Sequence, residues 1–156
     1  MQGSRADGAA LAGELTLLFS ALVRTGGDSP AWRTLTPTQR LLLVELCDSG
    51  PLRLHALAER AGTTDPTASR AIDGLVAAKL VERSADPDDR RAVLHAATGR
   101  GRALVQGRRT EVAAFLDHGL AGFRPAERAQ LVELLAKLNF ELSQPESRTA
   151  TLLASR

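Results

Sequence analysis

Residues 54–80 read LHALAERAGTTDPTASRAIDGLVAAKL, and this stretch decides the fold class. Its first part has the apolar spacing of a short helix, which is predicted to end at Gly62 because glycine is favoured just after a helix. A second helix is predicted to begin at once, since Thr64 or Asp65 can cap it and Pro66 suits its first turn. Two short helices joined by a four-residue turn that contains glycine are typical of a helix-turn-helix.

The chain beyond residue 80 changes its pattern and predicts a β-hairpin. Residues 80–84 and 92–96 are short segments that suit strands, and they flank the polar sequence DPDDRR at 86–91. A helix-turn-helix followed directly by such a hairpin is a winged helix, and the combination is much more specific than either half. Seven arginines and three acids between residues 83 and 109 also give this part of the chain a local charge of +4.

The flanks of this motif predict further helices, so the fold class is mainly α. Residues 9–24 carry leucines at helical spacing, and TPTQ at 36–39 has the capping hydroxyl and the proline of a helix start. Two more helices are predicted after the hairpin, from Thr98 to about residue 118 and from Pro125 to about residue 142.

Length and composition fit one soluble globular domain. The chain has 156 residues, of which 44% are hydrophobic and 24% are charged, and these fractions are ordinary for globular proteins. No apolar run reaches the roughly 18 residues that a bilayer span needs, and the N-terminus does not read as a secretory signal. Cys47 is the only cysteine, which excludes an internal disulfide and any multi-cysteine metal site. The expected location is cytoplasmic, without membrane contact.

Catalytic chemistry is not indicated by the sequence. The three histidines, His55, His95 and His118, lie on different predicted elements and have no metal-ligand spacing. The chain has neither a phosphate-binding glycine loop nor a G-x-S-x-G elbow. We therefore expect no enzymatic activity, no metal and no cofactor.

The second helix of the motif has one face that suits the major groove of DNA. Thr67 and Ser69 can bond base edges or phosphates, and Arg70 can pair with guanine or hold a phosphate. An arginine at the hairpin tip, 86–91, can enter a minor groove. A solvated helix face and a solvated turn remain the alternatives, and the carboxylate of Asp73 opposes phosphate binding. The small or polar residues predicted on the outward face are Thr67, Arg70, Asp73, Gly74 and Ala77.

These motifs resemble those of the MarR family of winged helix-turn-helix transcriptional regulators, over roughly residues 11–142. The most specific match is LVER at 80–83 followed by DPDDRR at 86–91, which is very similar to the family's wing. Ala97 is a departure, because the family usually has leucine before the threonine. The other matching segments are LTPTQ at 35–39, LAERAG at 57–62, SRAIDGL at 69–75 and T-x-x-G-x-x-L at 98–104.

The resemblance implies a homodimeric, sequence-specific transcriptional regulator bound to double-stranded DNA at a pseudo-palindromic operator. The recognition helix would use Thr67, Ser69 and Arg70 in the major groove. The wing would place Arg90 in the minor groove, and Arg53, just before the first motif helix, is a candidate phosphate contact.

The family likeness also assigns a bracing role within the wing. Arg91, itself a candidate DNA contact, would brace the wing against Asp73 or Asp89 rather than read bases.

The leucine stripes of the first and last helices support a dimer independently, because a small winged helix cannot cover them. We expect a single winged-helix domain, 1–156, with a helical dimerisation region built from both ends of the chain. Its expected parts are a DNA-binding lobe at 35–98, dimerisation helices at 9–34 and 99–143, and a flexible tail at 144–156.

Regulators of this kind are commonly repressors that a small aromatic or anionic effector releases from DNA. The candidate effector-binding residues are Phe19, Trp32, Arg33, Arg40 and His55. Cys47 reads as a structural thiol rather than a redox switch, since it lies on an apolar helix beside Asp48.

The alternative function is a winged-helix protein-interaction module that has lost DNA binding. It stays open because residues 50–100 carry eight basic and seven acidic side chains, a net charge of only +1.

Overall fold

Residues 3–24 and 29–143 are described by the computed structural model, and within them the chain is mainly helical with one small antiparallel sheet. The predicted fold class is confirmed, since a helix-turn-helix is followed directly by a β-hairpin. The tail at 144–156, predicted to be flexible, lies outside the described residues. The elements are α1 (Gly3–Arg24), α2 (Pro30–Arg33), α3 (Pro37–Ser49), β1 (Leu52–Arg53), α4 (Leu54–Arg60), α5 (Asp65–Ala77), β2 (Val81–Ala85), β3 (Val93–Ala97), α6 (Gly99–Gly119) and α7 (Pro125–Ser143).

The chain divides into two compact units, Met1–Phe115 and Leu116–Arg156. The first unit contains the helix-turn-helix, α4 and α5, together with the sheet. The second contains α7 and the last turn of α6. The division into a lobe at 35–98 and dimerisation helices at 9–34 and 99–143 concerns a dimer, and it stays a prediction.

The start of α3 has the hydrogen bonds that its sequence predicts. The Thr36 hydroxyl accepts from the Gln39 amide at 3.2 Å, and the Gln39 side-chain oxygen accepts from the Thr36 amide at 2.8 Å. These reciprocal bonds form a capping box, and Pro37 occupies the first turn, where its missing N–H has no partner to lose. The helix then directs three leucines into the core between α3, α4, α5 and the sheet. The largest fully buried side chains of this core are Leu42, Leu43, Leu46, Leu57, Ile72, Leu75 and Val81.

The sheet has three strands in the order β1-β3-β2, whereas the sequence predicted only the hairpin of β2 and β3. The additional strand, β1, pairs antiparallel with β3, so that Leu52 lies opposite His95 and Arg53 lies opposite Leu94. Two residues are too few to show the alternation that predicts a strand, which is why sequence analysis did not find it. Its consequence is that the wing is hydrogen-bonded to the chain directly before α4.

The junction between α5 and the wing brings two backbone segments very close together. Lys79 adopts a left-handed conformation with φ of 59°, which turns the chain out of the helix. The amide of Thr98 donates to the Leu80 carbonyl at 2.9 Å, and the Thr98 hydroxyl donates to the Lys79 carbonyl at 2.9 Å. Gly101, in the first turn of α6, lies against the same Leu80 carbonyl without room for a side chain.

Candidate nucleic-acid interface

Helix α5 buries one face and presents the other to solvent, largely as predicted. Thr67, Arg70 and Asp73 are exposed, and Ser69 is half-buried. Gly74 differs from its predicted outward position, because it is half-buried and a Cβ there would collide with the end of the Gln39 side chain. Helix α3 therefore covers this part of α5. The buried residues of α5 are Ala68, Ala71, Ile72 and Leu75.

The N-terminus of α5 has no side-chain cap. Thr64 is the N-cap residue, but its hydroxyl donates to the Thr67 hydroxyl at 3.0 Å rather than accepting from a backbone amide. Amide groups in the first turn of a helix are therefore left to bind an outside acceptor, and a phosphate oxygen suits them. The Asp65 carboxylate, in the same turn, lies 3.2 Å from Nδ1 of His55.

The wing tip is shaped by two short turns in which an aspartate accepts from a backbone amide two residues on. The Asp86 carboxylate accepts from the Asp88 amide at 2.9 Å, and the Asp89 carboxylate accepts from the Arg91 amide at 3.0 Å. The Asp86 amide donates to the Ala92 carbonyl at 3.0 Å, which closes the hairpin. Arg90 and Arg91 are exposed, and within the part of the chain that is described neither guanidinium has an ion-pair partner.

Of the two aspartates that Arg91 was expected to brace, Asp73 is paired with a different arginine, and Asp89 has no guanidinium partner among the described residues. Asp73 of α5 forms its ion pair with Arg83 of β2, and Asp89 binds the Arg91 amide instead of its guanidinium. The physical reason is position: Arg83 lies on the strand that follows α5, whereas Arg91 lies at the far end of the hairpin. Within the pair, the arginine also offsets the repulsion that the Asp73 carboxylate would exert on phosphates.

Arg53, the candidate phosphate contact, is bound within the protein. Its Nε and Nη2 atoms donate to one Asp86 oxygen at 2.7 and 2.6 Å. The Asp88 amide and then the Arg53 guanidinium hold the pKa of the Asp86 carboxyl below its usual value. Sequence reasoning had no means of selecting Asp86, since DPDDRR contains three similar acids and only one of them folds inward.

His95 lies in the middle of the sheet, on β3, and is buried. Its Nδ1 atom has no hydrogen-bond partner among the described residues. Burial, chiefly, and the nearby positive charge of Arg83 lower the pKa of His95, while a hydrogen bond to the Leu52 backbone and the charge of Asp73 act in the opposite direction. The neutral imidazole is therefore the form that the folded chain favours.

We expect the stability of the protein to fall as the pH is lowered from 7 to 5, and His95 to account for part of this loss. Because folding lowers its pKa below the ordinary 6.5, the unfolded chain binds more protons than the folded chain once the pH drops below that value. Urea unfolding at both pH values should show a smaller loss for His95→Leu than for the wild type. The exposed His118→Gln variant, as a control, should keep the wild-type loss, and an equal loss in all three proteins would contradict the prediction.

Comparisons with known proteins agree with this geometry. The family model that matches residues 35–93 is that of the MarR family. A solved structure from Bordetella bronchiseptica, BpsR, is 32% identical, with 85% of this chain and 91% of that chain covered and a TM-score of 0.61. The chain belongs to the MarR family. An uncharacterized HTH-type transcriptional regulator of Bacillus subtilis, YxaD, is 29% identical over 126 residues, which are 81% of this chain and 88% of YxaD.

The fold agrees with a MarR family protein from Bacillus stearothermophilus, with a TM-score of 0.76, 21% identity, and 90% of this chain and 98% of that chain covered. MarR-family proteins and YxaD are transcriptional regulators rather than enzymes, and the chain is accordingly a transcriptional regulator with a winged-helix fold. Across residues 3–24 and 29–143, no helix is both long and apolar enough to cross a membrane.

The effector candidates of this MarR-family chain fall into separate places. Arg40 of α3 donates to the carbonyls of Trp32 and Arg33 at 3.2 Å each, and its guanidinium lies 6.0 Å from the centre of the Trp32 ring. These three residues are thus brought together. His55 is instead bound to Asp65, and Phe19 is exposed on α1. Their role in ligand binding stays a prediction.

Cys47 packs partly buried against the hydrophobic core. Burial, and next the charge of Asp48, raise the pKa of its thiol. A raised pKa keeps the sulfur protonated and poorly nucleophilic, which is the opposite of what a redox-sensing cysteine needs.

Proposed function

We propose that this MarR-family regulator binds operator DNA as a homodimer, with α5 in the major groove and the wing in the minor groove. We propose further that it is a repressor, released when a small aromatic or anionic ligand binds. The observation that carries the proposal is which charged side chains of α5 and the wing are paired within the protein and which are not. Arg70, Arg90 and Arg91 are exposed without ion-pair partners among the described residues, whereas Asp73 and Asp86 are each paired with an arginine.

The exposed half of α5 has the side chains that base reading requires. Arg70 can donate two parallel hydrogen bonds to guanine, and Thr67 can pack its methyl group on thymine or bond a base edge. The half-buried Ser69 and the uncapped amides of the first turn are suited to phosphates instead. Base contacts would then supply sequence preference, and phosphate contacts would fix the register of the helix in the groove.

The arginines of the wing suit the minor groove. A narrow minor groove concentrates negative potential, and an arginine inserted there is favoured without reading individual bases. Arg90 and Arg91 lie at the tip of a hairpin whose turn is held by backbone and carboxylate hydrogen bonds. We assign the groove contact to Arg90 and a phosphate contact to Arg91.

Each of the two units leaves an apolar helix face exposed, which supports the proposed dimer. Exposed apolar faces of this length are uncommon on monomers, and a two-fold partner would cover them. A dimer would also place two recognition helices about one DNA turn, ~34 Å, apart. The exposed apolar residues are Leu11, Leu15, Leu17, Leu18, Phe19 and Val23 of α1 and Leu131, Val132, Leu134, Leu135, Phe140 and Leu142 of α7.

Support for effector release comes from a relative. In BpsR of Bordetella bronchiseptica, DNA binding is regulated by 6-hydroxynicotinic acid. A ligand of the same chemical class, aromatic and anionic, could act on the present chain if it binds the DNA-free conformation better than the DNA-bound one.

A gel-shift titration with the DNA upstream of the chain's own gene tests the proposal. We expect retardation by a dimer, with an affinity that falls roughly 10³-fold or more between 50 and 200 mM salt if six or more phosphates are contacted. A random duplex of the same length should bind much more weakly. Addition of aromatic acids and antibiotics, one at a time, should identify a compound that releases the operator. If low salt gives no retardation and a protein partner co-purifies, the protein-interaction module is the correct alternative.

A further inference from the structure

The polar turn of the wing contains one carboxylate that is folded inward. Asp86 is 6% exposed, whereas residues 82–85 and 87–91 are exposed. A buried carboxylate is unfavourable unless its oxygens are hydrogen-bonded or paired with a cation. Both oxygens of Asp86 meet this condition, because Oδ1 accepts from the Asp88 amide and Oδ2 accepts from Arg53. This burial therefore depends on Arg53.

Arg53 is far from the wing in the sequence, directly before the first helix of the helix-turn-helix. It ends β1, where it lies opposite Leu94, and it is the N-cap residue of α4. The Arg53–Asp86 pair therefore joins the start of the helix-turn-helix to the turn of the wing, across 33 positions of sequence. The pair Asp73–Arg83 joins α5 to β2. The Arg53–Asp86 pair therefore holds the turn of the hairpin, whereas the Asp73–Arg83 pair holds strand β2.

We propose that Asp86 is a positioning residue for DNA binding: held by Arg53, it fixes the turn that carries Arg90 and Arg91 in the pose that reaches the duplex. This inference rests on the proposed DNA-binding function. It also reassigns Arg53 from a phosphate contact to a residue that acts through Asp86.

The positioning role of Asp86 predicts a change in DNA affinity opposite in direction to the change expected from charge alone. Removing a negative charge from a DNA-binding surface should strengthen binding, because phosphates are repelled less. We expect the Asp86→Asn variant to bind the operator at least about tenfold more weakly instead, since the lost charge-assisted bonds free the turn in both subunits. The substituted amide oxygen can still accept from the Asp88 amide. The matched control is Asp88→Asn, which removes an exposed acid two residues away and should bind as tightly as the wild type or more tightly.

Three further measurements separate a positioning role from a general loss of folding. In the Asp86→Asn background, Arg90→Ala should lose most of the effect that it has in the wild type, because a displaced arginine contributes little. Arg53→Gln should weaken binding by the same factor as Asp86→Asn, and the double variant Arg53→Gln/Asp86→Asn should be no weaker than either single variant. The salt slope should fall by the same amount in Arg53→Gln and in Asp86→Asn, because both variants displace the wing arginines, whereas loss of a direct phosphate contact by Arg53 would lower it in Arg53→Gln alone.

The outcomes distinguish this inference from the proposed function. Absence of operator binding by the wild type refutes the DNA-binding function and the inference with it. Operator binding by the wild type, combined with equal or tighter binding by Asp86→Asn, refutes the positioning role alone. Additive effects of Arg53→Gln and Asp86→Asn, or an undiminished Arg90→Ala effect in the Asp86→Asn background, refute it as well. Circular dichroism and the unfolding midpoint of each variant show whether it is folded. Should Asp86→Asn be unfolded, the size of the Arg90→Ala effect in the Arg53→Gln background decides the question, because positioning predicts a diminished effect and a direct phosphate contact of Arg53 predicts an undiminished one.

Discussion

The Gly101→Ala variant is expected to lose roughly 2–4 kcal/mol of unfolding free energy. A Cβ on Gly101 would meet the Leu80 carbonyl oxygen closer than real Cβ atoms approach other atoms, and it would lie 3.1 Å from Cδ1 of Leu43. The Leu80 oxygen cannot move aside freely, because it accepts from the Thr98 amide at 2.9 Å and from the Thr98 hydroxyl at 3.2 Å. The new methyl group would therefore push α6 away from the α5–β2 junction or break these hydrogen bonds.

A second glycine of the same helix provides a matched control. A Cβ on Gly107 would meet nothing within 4 Å, and Gly107 is exposed. Because alanine is favoured over glycine inside helices, Gly107→Ala should gain about 0.5–1 kcal/mol. Urea unfolding of the two variants beside the wild type measures both effects. Destabilisation of similar size in both variants would show that the cause is not the contact with Leu80.

Elements whose signals are local were predictable from the sequence. The capping box before α3 needs only Thr36, Pro37 and Gln39, and the structure has both of its hydrogen bonds. The hairpin of β2 and β3 was predictable because polar turn residues separate two short segments that suit strands. Strand β1 has no such signal: it is a strand only because β3 offers it hydrogen bonds, and that contact depends on the tertiary fold.

The candidate site, too, was predictable from the sequence only where its signals are local. The exposure of Thr67 and Arg70 follows from the helical period, since the apolar residues of α5 must face the core. The arginine partners of Asp73 and Asp86 do not follow from any period. They lie 10 and 33 positions away in the sequence, and only the packing of the wing beside the helices brings them together.

The Arg70→Ala and Arg90→Ala variants are each expected to weaken operator binding by roughly 30-fold to 10⁴-fold. An arginine that contacts a base or a groove is worth about 1–3 kcal/mol, and a dimer loses two of them in each variant. The two effects should differ in kind. Arg70→Ala should relax the preference for the operator over a duplex with altered bases, whereas Arg90→Ala should weaken both duplexes and lower the salt slope by about 2. Gel-shift titrations at several salt concentrations measure affinity, preference and slope together.

The control for these variants is Arg109→Ala, which removes the same charge from an exposed arginine of α6 that pairs with Asp48 at 2.7 Å. It should bind the operator nearly as the wild type does, because the proposed interface does not include it. Sedimentation should show that all three variants keep the oligomeric state of the wild type, since Arg70 and Arg90 lie on α5 and the wing rather than on the apolar faces of α1 and α7. If Arg109→Ala weakens binding as much as the other two, then total charge and not the geometry of α5 and the wing determines affinity. If Arg70→Ala leaves the base preference unchanged, α5 is not the element that reads the sequence, and a different face of the lobe must do so.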